Sequence, residues 1–171
     1  MKFAIWRHEN SLGNSAEHTY GLYKHLLRND IKNAEIYVEK DYWVTLALKE
    51  IFTNESTRKL AVFKGGTSLS KCFRIIERFS EDIDLVVIKE EGETDNSLKR
   101  KLKKVTAALK PVMTVIPDHP LENKRGKIRK VVYGYDKVGV EGAFGQIRDH
   151  IVVEASSLGK SHPSEIVSVH S

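Results

Sequence analysis

One cysteine, Cys72, stands in the 171 residues. A lone thiol excludes an internal disulfide framework and a zinc site built on several cysteines. No apolar run approaches the roughly 20 residues that span a bilayer. The start, MKFAIWRHEN, meets charge too early for a signal peptide. Internal repeats and low-complexity tracts are lacking, and 40% apolar residues is an ordinary share for a core, so long disorder is excluded. Neither sign of charge dominates: 28 Lys and Arg against 23 Asp and Glu leave +5, with a pI near 9.2. That excess admits a polyanionic partner without specifying one. At about 150 residues per domain, the expectation is one soluble, cytoplasmic globular protein with no membrane partner.

What is present is an alternation of periods. Ala16, Tyr20, Tyr23 and Leu27 recur at helical spacing after Asn14 or Ser15 as N-cap, and Ala34–Thr53 carries a broad apolar arc of Tyr42, Trp43, Leu46, Ala47 and Ile51. Leu60 to Phe63 is a short apolar run cut by Gly65-Gly66 and reads as a buried strand. Thr67–Glu77 is predicted helical, Ile83–Ile88 a central strand, and Asn96–Leu109 an amphipathic helix stopped by Pro111. Val112–Ile116, Ile128–Tyr135, His150–Ala155 and Ile166–Val169 read as strands. The fold class expected is α/β (α+β), a mixed β-sheet flanked by helices. Residues 1–58 are expected as a helical segment packed on a core at 59–171.

Chemistry concentrates in VFKGGTSLSKCFRIIERFSEDIDLVV, residues 62–87. A buried strand runs through Lys64 into Gly65-Gly66 and directly into a helix opened by Thr67 and Ser68. Glycines permit a sharp turn and a close ligand approach, and unpaired N–H groups at a helix start suit a phosphate. Lys71, near that helix start and opposite the Leu69/Phe73/Ile76 stripe, is expected to face a bound anion. Arg78 is placed toward a triphosphate, whereas Arg74 is expected to pair with neighbouring acids. Sixteen residues after Gly66, Asp82 and Asp84 share one face of a strand while Ile83, Leu85 and Val87 take the other. Two carboxylates at the mouth of a buried strand repel and lose solvent; a divalent cation relieves both costs. Mg²⁺ is held by one or two carboxylates plus substrate phosphates, which this pair suits. Glu154 is the leading third acid, being the only acid inside an apolar strand; Asp149, Asp136 and Glu141 lie at strand ends or in loops.

The GGTSLSK…RFSEDIDL pattern, with VEKDYWVTLAL ahead of it, resembles the AbiEii-type (abortive infection) nucleotidyltransferase toxins, within the DNA polymerase β-like nucleotidyltransferase superfamily. The likeness is specific over residues 36–90 and looser to Glu154. It implies a polymerase-β-like core in which Gly66, Thr67 and Ser68 hold nucleotide phosphates, joined here by Lys64, Gly65 and Arg78. By the same likeness Asp82 and Asp84, with Glu154, hold two Mg²⁺ ions and Lys71 lies beside the triphosphate of an NTP donor. It further implies a toxin with a cognate antitoxin, transferring a nucleoside monophosphate to an acceptor hydroxyl such as that of a tRNA or other RNA. Family members usually continue into a helical C-terminal region with a further lysine and aspartate; the expectation is that this chain lacks it, as a minimal member, a truncated product or a fragment. Two other readings keep the same site: transfer to a small molecule such as an aminoglycoside or to a protein side chain, and a non-catalytic module that binds a nucleotide or partner.

Other signals are given ordinary roles. KRKLKK (99–104) lies on the polar face of a helix and KRGKIRK (124–130) in a loop leading into a strand; both are read as solvated, the second also as a groove lining. His18, His25, His119, His150, His162 and His170 lack metal-ligand spacing. Cys72, Trp6 and Trp43 are read as packing residues.

Overall fold

Seven strands hydrogen-bond into one mixed sheet in the spatial order β4-β5-β6-β3-β2-β1-β7. The strands are β1 (Phe3–Trp6), β2 (Ala61–Lys64), β3 (Asp82–Val87), β4 (Thr114–Val115), β5 (Ile128–Gly134), β6 (Ile151–Ser156) and β7 (Ser164–Val167). Among the described residues, three helices join them: α1 (Ala34–Thr53), α2 (Gly65–Lys71) and α3 (Asp95–Ala107). The computed structural model describes residues 3–6, 34–74, 76, 81–137, 148–157, 164–167 and 169. The helix expected at Ala16–Leu27, the side chain of Trp6, and Arg78 lie outside the described residues. Strands β3 and β6 pair in parallel, as do β1 and β7, and the other pairings are antiparallel.

Period-2 alternation divides the sheet into two unlike faces. Ala61, Phe63, Ile83, Leu85, Val87, Val131, Tyr133, Ile151, Val153 and Ala155 point to one side. They form a single core with Val44, Ala47, Leu48, Ile51 and Phe52 of α1 and with Leu98, Leu102 and Val105 of α3. Helix α3 starts where Thr94 accepts a hydrogen bond from the Ser97 amide at 3.2 Å, and carries Asp95 in its first turn and Lys104 in its last. Both charges complement the helix dipole. Trp43 packs by stacking on Tyr135, 5.3 Å between centroids. The opposite face carries Lys64, Asp82, Asp84, Glu154 and Lys130, with Val62 and Val86 as a separate small apolar patch.

Several boundaries differ from the sequence reading. Helix α2 ends at Lys71 rather than Glu77, because Arg74 has a left-handed backbone at φ +49 and the chain turns away. Strand β4 is only two residues long, since Val112 and Met113 are used in a turn onto the Leu109 carbonyl. Strand β1 was not foreseen: four residues are too few for a periodic signal.

Candidate active site

The positions of the acids follow from register. Asp84 lies opposite Lys64 of β2 on one side and Glu154 of β6 on the other, and Glu154 in turn lies opposite Lys130 of β5. A row Lys64–Asp84–Glu154–Lys130 therefore crosses four adjacent strands. Asp82 is two residues away on the same strand and the same face. Two carboxylates at paired positions of adjacent strands repel, and both flanks of this pair carry a lysine. Burial is the largest influence on Asp84 and raises its carboxyl above the usual range. Lys64 and Lys130 oppose that shift, while Glu154 and Asp82 reinforce it.

The turn before α2 is shaped around Asp84. Gly65 has φ +81, and a Cβ there would collide with the Asp84 carboxylate. Only glycine allows both the backbone and that approach. Thr67 and Ser68 are buried, and Thr67 Oγ1 donates to the Asp82 carbonyl at 2.5 Å, tying α2 to the start of β3. Lys71 differs from its expected place. It is buried, and its Nζ lies 2.7 Å from Asp41 Oδ1 and 2.9 Å from Thr45 Oγ1 of α1, so its ammonium is directed into the α1–α2 packing. Cys72 packs against the core, and burial pushes its thiol up to about 12. This keeps it an inert thiol.

Four further charged residues surround the acids; sequence reasoning missed Lys40, Glu81 and Arg148 and knew Lys130 only as part of the basic run KRGKIRK. Lys40, adjacent to Asp41, is fully buried and donates to the Arg148 carbonyl at 2.6 Å and to the His150 carbonyl. Its Nζ lies 3.4 Å from Glu81, and burial brings its pKa down to about 8. Glu81 accepts from the Arg148 amide at 2.9 Å. The Arg148 guanidinium, in turn, lies 3.1 Å from the Asp82 carboxylate. Lys130 Nζ lies 2.7 Å from Glu154 Oε2. One buried lysine thus fastens the residues leading into β3 to those leading into β6, the two strands that carry the acids. Consecutive opposite charges, as in Lys40-Asp41, look like solvated surface; no local pattern marks Arg148, and Lys130 is visible only as the end of the basic run KRGKIRK.

Of KRGKIRK, Arg129 turns to the core side, where its Nε donates to Thr106 Oγ1, and Lys124 pairs with Glu122. Among the described residues, no three His, Cys, Asp or Glu side chains already converge where a metal ion could be held. Asp82 is turned to Arg148 and Glu154 to Lys130. No helix among these residues is long and apolar enough to cross a membrane.

A mixed sheet with helices on one face and this acid row on the other has the architecture of a nucleotidyltransferase core. Residues 46–171 match the family described as "Nucleotidyl transferase AbiEii toxin, Type IV TA system", and the chain belongs to that family. The matched span contains Lys64–Ser68, Asp82, Asp84 and Glu154 but begins after Lys40 and Asp41. No curated protein matches the chain. A family of toxins of type IV toxin–antitoxin systems implies an antitoxin as partner.

Proposed function

We propose that the chain transfers a nucleoside monophosphate from an NTP to an acceptor hydroxyl with the help of Mg²⁺, the acceptor oxygen bonding to the α-phosphorus as pyrophosphate leaves, as the toxin of its pair. The register that sets Glu154 beside Asp84, one strand from the Gly65 turn, carries this reading. An all-carboxylate donor set suits a hard cation. Asp82 Oδ1 accepts no hydrogen bond and has the Arg148 guanidinium 3.1 Å away as its charge partner, and Asp84 is desolvated beside two further acids. Asp82, Asp84 and Glu154 are the residues that would hold Mg²⁺. When bound, the ion supplies charge neutralisation at the phosphates and a lowered pKa for the attacking hydroxyl.

The chain's own contribution is positioning. The Gly65 turn presents the Gly66, Thr67 and Ser68 amides to the donor phosphates, with the Thr67 hydroxyl occupied by the Asp82 carbonyl. Lys64, rather than Lys71, is the lysine on the acid row beside this turn and is the cation proposed to face the donor. Arg148, fixed through its backbone by Lys40 and Glu81, directs its guanidinium to the same edge. The acceptor is proposed to be RNA, tRNA first, which the net charge of +5 favours.

Calorimetric titration with each of the four ribonucleoside triphosphates, with and without Mg²⁺, tests the site. One triphosphate is expected to bind only with Mg²⁺, and Asp82→Ala with Asp84→Ala to abolish that binding while far-UV circular dichroism is unchanged. Retained Mg²⁺–nucleotide affinity in the double variant overturns the assignment. Labelled transfer to tRNA then tests the acceptor.

A further inference from the structure

Among the described residues, three acids and three cations are matched on the site face and the edge beside it, next to the Lys40–Glu81 pair. Asp82 is held by Arg148, Glu154 by Lys130, and Asp84 has Lys64 as its neighbour on β2. The formal charge of this set sums to zero. A dication that gathers the carboxylates must therefore compete with cations already in place. We propose that Lys130 is an exchangeable counter-ion of Glu154: it neutralises this carboxylate while no divalent cation is bound and leaves it when one binds. The inference rests on the metal reading above and makes Lys130 a positioning residue.

Geometry supports an exchange confined to the side chain. The Lys130 backbone is fixed on both sides, by β6 at Glu154 and by the Asn123 backbone, to which its amide donates at 2.6 Å. Its side chain is 32% exposed and that of Glu154 26%. A pair this open to solvent is weak enough for a doubly charged ion to displace, and the flexible lysine stem has water to retreat into. The absence of a ready three-acid cluster among the described residues follows from the same pairing.

Mn²⁺ binding, followed by calorimetry without nucleotide, tests the exchange. Lys130→Met is compared with Lys103→Met, which removes the same charge from the exposed side of α3. Lys130→Met is expected to tighten Mn²⁺ about fivefold, with no gain in a Glu154→Gln background. In wild-type protein, the Lys130 ε-methylene NMR signal, assigned by its loss in Lys130→Met, is expected to shift as Mg²⁺ is added. Equal affinities in the two lysine variants, weaker binding in a folded Lys130→Met, or a signal that ignores Mg²⁺ overturns the proposal. Wild-type binding that survives Asp82→Asn with Asp84→Asn overturns the metal reading instead, and a wild-type protein that binds no Mn²⁺ overturns both.

Discussion

Neighbouring residues of one strand live in opposite worlds here. Leu85 is fully buried between α1 and α3, whereas Asp84, one residue earlier, faces a second carboxylate and two lysines. The core face is held by apolar burial that depends little on which large side chain fills it. The other face is held by partly exposed charge pairs whose net worth is small. Stability therefore resides on the helical side of the sheet, and the polar side is left to carry chemistry at little cost to the fold.

Leu85→Ala attacks the first side directly and is expected to cost the most, about 3 kcal/mol, read as a lowered urea midpoint. Lys40→Met tests the junction between the two sides. It leaves the Arg148 and His150 carbonyls and Glu81 without their shared donor, and a loss of about 2 kcal/mol is expected. Lys40 also carries a pH signature. Its pKa falls from 10.5 to about 8 in the folded protein, so between those values the unfolded chain binds more protons. Wild-type stability should then rise as pH increases from 8 toward 10, and rise less in Lys40→Met. An equal slope in both proteins would remove Lys40 as its source. Asp84→Asn is expected to move the urea midpoint least, by less than about 1 kcal/mol, because burial already disfavours the charged form. It should nonetheless remove Mg²⁺-dependent nucleotide binding, and a large loss of stability would contradict the division between the faces.

Much of this arrangement is legible in the amino acids. The stripe of α3 and the apolar runs at β2, β3 and β6 are periodic signals that local sequence carries; in α1 the buried stripe is Val44, Ala47, Leu48, Ile51 and Phe52, while Tyr42, expected in it, is exposed. Asp82 and Asp84 are visible as a pair, and Glu154 as the lone acid of an apolar strand; its place opposite Asp84 needed the register. The rest depends on contacts distant in sequence. Lys40 meets His150 across 110 residues and Lys71 meets Asp41 across 30, so both lysines resemble surface charge until the partner is known. The end of α2 was missed because residues 72–77 still look helical while the backbone at Arg74 is left-handed.

The parallel pairing of β3 with β6 also bears on when the acid row comes into being. Seventy residues separate Asp84 from Glu154, and β6 lies between β3 and β5, both earlier in the chain. A strand that must insert between two others closes long loops and forms slowly. During synthesis, the glycine turn and the aspartate pair leave the ribosome well before their third acid, at a pace of about 5–20 residues per second. A nascent chain thus has no complete acid row until β6 has docked, and Glu154 joins Asp84 only at a late stage of sheet assembly.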